Sequence, residues 1–319
     1  MRPKPLSDLL DSIKIQSLYP DEILIIDGSN DDLTKVALSQ REDKNLIYYH
    51  VDDKDRGLTR QRNFGINHVD KNSEYVCFLD DDTILESDYF EQLIGTFQSH
   101  PDADGVGGFI TNEVTWRKLK EKERVSSKDY VNNGWVRNLG SRNVLRKRLG
   151  LLSDKPPGFM PEFSNGLSVS FIPPDGGIHP VEYFMGGVSS FRKAVLNTIK
   201  FSNYFIGYGL YEDLEYCLRV SKQYQLYLNT NAKLGHYHNA TGRPNQYRYG
   251  KMVTRNGWLV WRTRYPKPSL KGRIKWNLLV WLLALVKLTN VSSEGIKAFT
   301  QVIGRLSGWF SIPFNKPRR

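Results

Sequence analysis

Tyr75-Val76-Cys77-Phe78-Leu79 is an unbroken apolar run that ends directly on Asp80-Asp81-Asp82-Thr83. A short apolar run bounded by a polar cluster reads as a buried strand. Three adjacent carboxylates repel one another unless a cation or a set of donors neutralises them. In an extended segment alternate side chains point the same way, so Asp80 and Asp82 form a D-x-D pair able to converge on one hard cation. Magnesium or manganese suits oxygen ligands and zinc does not. A solvated acidic turn is the plain alternative, and the place of the triplet just after a buried strand favours the ion.

Working outward, the first hundred residues alternate helical and strand patterns, which predicts an α/β fold. Leu6, Leu9, Leu10 and Ile13 fall at helical spacing, and Glu22-Ile23-Leu24-Ile25-Ile26 is a strand that ends at Asp27-Gly28-Ser29. Residues 45–51 read as the next strand and residues 59–69 as a helix. In open α/β sheets ligands bind beyond the carboxyl ends of the strands, so Asp27 and the aspartate run are expected at one rim. Downstream, a helix through Phe97 precedes a glycine-rich strand over 104–110. Residues 115–161 are rich in Lys, Arg and Asn with little periodicity, as in a long insertion with a binding or lid role. Order is expected again at 182–187, in a helix after Ser190, and over 212–220.

A chain of 319 residues with 39% apolar and 12% aromatic content can bury a full core. Cys77 and Cys217 lie in apolar runs, which reads as buried thiols and a reducing compartment. Residues 6–11 carry charge where a secretory leader would be apolar, so export is not expected. The net charge of +11 is uneven: from Arg243 to Arg319 there are 16 Lys and Arg against one acid, Glu294. The same tail holds Trp258, Trp261, Trp276, Trp281 and Trp309, and basic charge mixed with tryptophan suits an anionic membrane surface at least as well as nucleic acid. The apolar run 278–286 is too short to span a bilayer, which needs about 20 residues. Both an interfacial helix and an ordinary core helix remain open for it.

These motifs, in this order, resemble the family 2 inverting nucleotide-sugar glycosyltransferases, which share the GT-A fold; the resemblance covers residues 2–238. It implies a GT-A-like mixed sheet flanked by helices up to residue 240, with a basic, aromatic helical extension over 241–319. Asp27 stands where the family contacts the donor base, with Ser29 beside it. Gly57 with Arg60-Gln61-Arg62-Asn63-Phe64-Gly65 is similar to the family's G-x-x-x-A-R-N-x-G element, with Gln61 in place of alanine, and it makes Arg62 a donor-site residue. Asp80 and Asp82 match the D-x-D, the first toward the ribose or base region and the last on the metal, with Asp81 on the donor side. Glu212-Asp213 matches the acid pair whose aspartate is the catalytic base, Glu212 lying on the acceptor side. Gly186-Gly187 resembles the segment lining the acceptor, and His236 the histidine that some relatives give to the metal; His238 carries less weight. The family opens with an apolar strand before a turn that this chain places at Met1-Arg2-Pro3, so that strand is expected to be missing and with it one wall of the donor site.

Chemistry supports these roles independently. Transfer from a nucleotide diphosphate needs the leaving charge neutralised, which Mn2+ or Mg2+ does as a Lewis acid. An acceptor hydroxyl needs a carboxylate to take its proton, and Asp213 is the choice. A single displacement inverts the anomeric centre. On local grounds Glu212-Asp213-Leu214-Glu215 is equally an acidic first helical turn, Gly186-Gly187 a turn, and Arg62 a helix-surface cation. The expected partners are a nucleotide-sugar donor carrying a hexose or deoxyhexose and a glycan or lipid-linked acceptor, as in cell-surface polysaccharide synthesis. The expected place is the cytoplasm, peripheral on the inner face of the membrane, with no nucleic acid as partner. Three rivals stand: a non-catalytic sugar or nucleotide binding module, a basic nucleic-acid binder, and a phosphatase of D-x-D-x-T type, whose spacing is off by one at Thr83.

Overall fold

The computed structural model describes residues 2–164, 166–205, 207–238 and 244–318. In chain order the elements are α1 (Pro3–Lys14), β1 (Ile23–Asp27), α2 (Leu33–Ser39), β2 (Leu46–His50), α3 (Leu58–His68), β3 (Tyr75–Leu79), β4 (Thr83–Leu85), α4 (Tyr89–Ser99) and β5 (Ala103–Ile110). Then come β6 (Arg117–Lys118), β7 (Asp129–Asn132), β8 (Trp135–Asn138), α5 (Ser141–Arg148), β9 (Ile178–Val181), β10 (Val188–Arg192), α6 (Lys193–Thr198), α7 (Glu212–Val220) and β11 (Gln225–His236). Helices α8 (Gln246–Arg264), α9 (Leu270–Thr289), α10 (Val291–Glu294) and α11 (Ile296–Ser311) follow.

Two compact units result, Met1–Thr115 with Pro174–Asn239 and Trp116–Pro173 with Ala240–Arg319. The boundary expected at residue 240 lies outside the described residues, as does Ile206 in the loop before Gly207. The grouping also differs from the consecutive division read from the sequence, because residues 116–173 belong with the C-terminal helices. Leu151 and Phe163 pack with Leu279, and Trp261 Nε1 donates to the Glu162 carbonyl at 2.6 Å. Such contacts join stretches far apart in the chain, and no local pattern announces them.

In the first unit the main sheet runs β3-β10-β5-β11-β4, with β9 also on β11. β5 and β11 are parallel and the other pairs antiparallel, so the sheet is mixed. β1 and β2 form a separate parallel pair. The apolar stripe of α1 (Leu6, Leu9, Leu10, Ile13) is buried as its spacing predicts, and its Pro3 occupies the first turn, where no amide donor is needed. It packs in one core with Ile23, Ile25, Tyr89, Leu93, Phe97, Val106 and Leu234. The order expected at 182–187 is irregular and the strand starts only at Val188; Ser190 lies inside it, and the helix expected after Ser190 follows as α6 from Lys193.

In the second unit, 115–161 is not a patternless insertion: β6, β8 and β7 make a three-stranded antiparallel sheet followed by α5. Strands of two to four residues are too short to show an alternation. α8 and α11 approach through glycines, since a Cβ on Gly250 would lie 2.1 Å from the Gln301 carbonyl oxygen and one on Gly304 2.1 Å from that of Tyr247. Trp261 and Trp276 stack at 4.9 Å and are buried, so part of the tryptophan-rich tail is core. Among the described residues no helix is long and apolar enough to cross a membrane.

Candidate functional site

Strand register brings the site together. β10 pairs with β3 so that Val188 faces Leu79. The residues just beyond, Gly187 and Asp80, therefore meet, and Asp80 N donates to the Gly187 carbonyl at 3.0 Å. A Cβ on Gly187 would lie 2.1 Å from Asp80 Cγ, so only glycine fits without displacement. One residue earlier, Gly186 N donates to Asp213 Oδ2 at 3.1 Å. The Gly186-Gly187 pair thus ties the start of α7 to the end of β3.

Asp213 is fixed further by Leu214 N, which donates to its Oδ1 at 2.7 Å. Tyr211, just before the acid pair, has a φ of +70°, a left-handed conformation that costs a non-glycine residue energy and tends to occur at functional sites. Glu212 points inward. Its Oε1 accepts from Arg62 Nη1, while Oε2 is buried with no hydrogen-bond partner among the described residues. Burial raises its pKa to about 8, helped by the charges of Asp213 and Asp80, with Arg62 opposing only in part.

Arg62 is buried on the inner side of α3 with Thr59 and Ile66, which excludes the helix-surface reading. Its Nη2 lies 3.6 Å from Asp80 Oδ1, and its guanidinium sits 5.3 Å from the centre of the Phe201 ring. Burial disfavours its charge, but Glu212, Asp80 and Asp213 together hold it above its ordinary value.

The aspartate run is a turn rather than an extended segment, since Thr83 N and Oγ1 both donate to the Asp80 carbonyl, at 3.2 and 2.8 Å. Asp80 and Asp82 accordingly part company: Asp80 turns to Gly187 and Arg62, and Asp82 to β11. Thr83 pairs with His236, and Tyr237 N donates to the Asp82 carbonyl at 2.8 Å. That pairing sets His236 Nε2 3.2 Å from Asp82 Oδ1. Asp82, His236 and His238 each offer a ligand atom, all within 4.8 Å of one another, and Asp80 is outside this group.

Glu113 Oε1 lies 2.9 Å from both His236 Nδ1 and His238 Nε2. It accepts from Nδ1 of His236, the carboxylate support typical of metal-bound histidines, while Nε2 faces Asp82 and would give up its proton to take an ion. Asn112 holds the His236 backbone through two hydrogen bonds. Burial opposes a charged His236, but the carboxylates of Asp82 and Glu113 outweigh it and lift its pKa to about 9. Burial likewise opposes an ionised Asp82, and His236 and Arg2 overcome this to hold it at about 2. The donor set of one carboxylate and two imidazoles fits a divalent transition ion better than magnesium, which takes oxygen ligands.

Arg2 spans the other side of the run. Its backbone N donates to Asp81 Oδ2 at 3.1 Å and its Nη2 lies 2.9 Å from Asp82 Oδ2. The Asp27 group is built separately at the end of β1. Asp27 is fully buried, with Oδ1 accepting from Ser29 N at 2.8 Å and Oδ2 from the Tyr48 hydroxyl at 3.1 Å. Burial alone would raise its pKa, and these donors more than reverse that. Gln61, the departure from the family's alanine, donates to the Ile26 carbonyl at 2.8 Å and accepts from Gly57 N at 3.1 Å. α3 therefore serves both groups, through Gln61 and Arg62.

Glu113, Arg2, Tyr48 and Gln61 carry parts of this site that sequence reasoning did not assign, and His238 is more central than its weight there. Alternation of His236 and His238 at a strand end was the available signal; Glu113, an acid in a loop, gave none.

The sequence pattern of Glycosyl transferase family 2 matches residues 1–161. The glucosyl-dolichyl phosphate glucuronosyltransferase of Haloferax volcanii is 28% identical over 113 residues, 35% of each chain. The O-antigen chain rhamnosyltransferase RfbN of Salmonella typhimurium is 33% identical over 91 residues, 28% of each chain. The chain thus spans about a third of the length of these curated relatives. Among solved structures, the mannosyltransferase PcManGT from Pyrobaculum calidifontis, in complex with GDP-Man and Mn2+, matches with a TM-score of 0.54 at 12% identity, over 97% of this chain and 84% of that one. GalNAc-T7 with UDP, GalNAc and Mn2+ matches with a TM-score of 0.50 at 14% identity, over 76% and 43%. At these identities the likeness shows the fold, which is the GT-A arrangement. The pattern match over half the length and the shared fold agree, and the chain belongs to glycosyl transferase family 2.

Proposed function

We propose that this protein moves a hexose or deoxyhexose from a nucleotide diphosphate donor to a hydroxyl of a glycan or lipid-linked acceptor, with inversion. The observation that carries the reading is the Gly186-Gly187 link: Gly186 N holds Asp213 Oδ2 at 3.1 Å while Gly187 O takes Asp80 N at 3.0 Å. A proton acceptor and the aspartate run thus belong to one constellation. Asp213 takes the proton of the acceptor hydroxyl, and Glu212 and the Gly186-Gly187 backbone line the acceptor side. Asp27 and Ser29 receive the donor base, while Arg62, Asp80 and Asp81 orient the rest of the donor. Asp82, His236 and His238 hold a divalent ion, which when bound supplies Lewis-acid neutralisation of the departing diphosphate. Manganese is the favoured ion, since both solved neighbours carry it.

The names of the relatives support the acceptor class: one concerns a dolichyl phosphate sugar and the other an O-antigen chain. This reading places the reaction in the cytoplasm, on the inner face of a membrane, in cell-surface polysaccharide synthesis. The test is acceptor-dependent release of nucleoside diphosphate from a panel of sugar donors with manganese. Asp213→Ala should cut turnover by roughly 10²–10⁴-fold, and Asp82→Ala should remove the metal requirement together with activity. Unchanged turnover in Asp213→Ala sinks the assignment of the base.

One observation favours a second reading, a nucleotide-sugar binding module without transfer: Arg2 already neutralises Asp81 and Asp82. Under it, donors raise the melting temperature, manganese does not add to the shift, and no donor turns over.

A further inference from the structure

α9 and α11 turn apolar side chains outward. On α9, Leu270, Ile274, Leu278, Trp281 and Leu285 recur every three or four residues as one stripe, each 37–73% exposed. On α11, Ile296, Phe299, Ile303 and Phe310 form a second stripe, each 44–78% exposed, and Phe314 beyond it is 92% exposed. The stripes join, because the Trp281 ring meets Phe310 edge-on at 6.4 Å between centroids. Both helices already bury a different face, with Trp276, Leu279 and Ala284 inward on α9 and Ala298, Val302 and Gly304 inward on α11. The exposed stripes are therefore not the core faces of unpacked helices. A surface helix ordinarily puts polar residues outside, and a contiguous exposed apolar patch marks an interaction surface.

Charge selects what covers it. Lys271 and Arg273 flank the α9 stripe and Lys297 the α11 stripe, all exposed, with Lys316 and Arg318 just beyond. The single acid from Arg243 onward, Glu294, is engaged by Lys287. A second copy of the chain seated on this face would set one cationic rim against another. An anionic bilayer meets both demands, taking the apolar side chains into its acyl boundary and the lysines and arginines at its headgroups.

We infer that α9 and α11 together form an in-plane docking surface for an anionic lipid bilayer. The inference deepens the membrane-side location proposed above. Its test reads binding alone, so it stands or falls separately from the transfer reaction.

The full chain is floated with phosphatidylcholine vesicles that contain or lack phosphatidylglycerol. Binding is expected with the anionic lipid and should weaken as salt rises. Leu278→Glu and Leu285→Glu, at exposed positions, should each weaken it by at least about tenfold. Lys271→Gln and Lys297→Gln should each weaken it by about fivefold on anionic vesicles and leave neutral vesicles unaffected. Bromine-labelled acyl chains should quench more fluorescence in the parent protein than in Trp281→Phe. Melting temperatures of the variants equal to that of the parent exclude loss of fold as the cause. Parental binding by Leu278→Glu overturns the inference, as does absence of binding to anionic vesicles. A concentration-dependent dimer abolished by Leu278→Glu also overturns it, since a second copy then covers the face.

Discussion

Glu212→Gln should change the way stability responds to pH. The Glu212 side chain is 5% exposed and shares Arg62 with Asp80 and Asp213, so one cation faces three acids. Its pKa is about 8 in the folded protein, against an ordinary 4.5. The unfolded chain releases this proton near the ordinary value, and the folded chain keeps it until about pH 8. Between the two the folded state binds more protons than the unfolded one, so the Glu212 contribution is complete at low pH and is lost as pH rises toward the folded pKa. The slope is about 1.4 kcal/mol per pH unit. Between about pH 5 and about pH 7.5 the wild type should therefore lose on the order of 3 kcal/mol relative to the glutamine variant. Glutamine keeps the shape and an acceptor for Arg62 but does not titrate. Urea unfolding of both proteins at the two pH values, with chelator present, measures the difference, and subtraction cancels the other titrating groups. A wild-type-minus-variant difference that stays constant within about 0.5 kcal/mol would show that Glu212 is ionised throughout, and would refute the reasoning.

Gly187→Ala places a methyl 2.1 Å from Asp80 Cγ, and should destabilise by about 1–3 kcal/mol as an overpacked site, read as a lower Tm. Gly95→Ala on α4, where nothing lies within 4 Å of the added carbon, should raise Tm instead, because alanine favours a helix by about 1 kcal/mol over glycine. Glu113→Gln should lower manganese affinity roughly 10–100-fold, as loss of a residue supporting a metal-bound histidine does. Calorimetric titration decides this, and unchanged affinity would show that Glu113 does not support the imidazoles.

Much of the fold was legible locally. The apolar run at 75–79 is β3 residue for residue, and the helices read from the spacing of Leu6, Leu9, Leu10 and Ile13 and from the acids at Glu212 are α1 and α7. Periodicity reports which face of one element is buried, and in these stretches the element is long or apolar enough to show it. Where elements are short the signal fails: β6, β7 and β8 left no alternation, and their segment was read as an insertion although it packs with α9. The aspartate triplet was read with the wrong local geometry. Alternation in an extended chain put Asp80 and Asp82 on one side, whereas the turn closed by Thr83 sends them to different partners.

Sequence alone determined which acidic, basic and glycine motifs were candidates and the elements that bear them, because strand, helix and acid cluster are each written in contiguous residues. Tertiary structure alone decided their company. The pairing of Val188 with Leu79 set Gly187 on Asp80, that of Thr83 with His236 brought Asp82 to an imidazole, and a loop acid, Glu113, was carried to two histidines. Each of these depends on the register between strands distant along the chain, and register is fixed by the shared core rather than by any one strand.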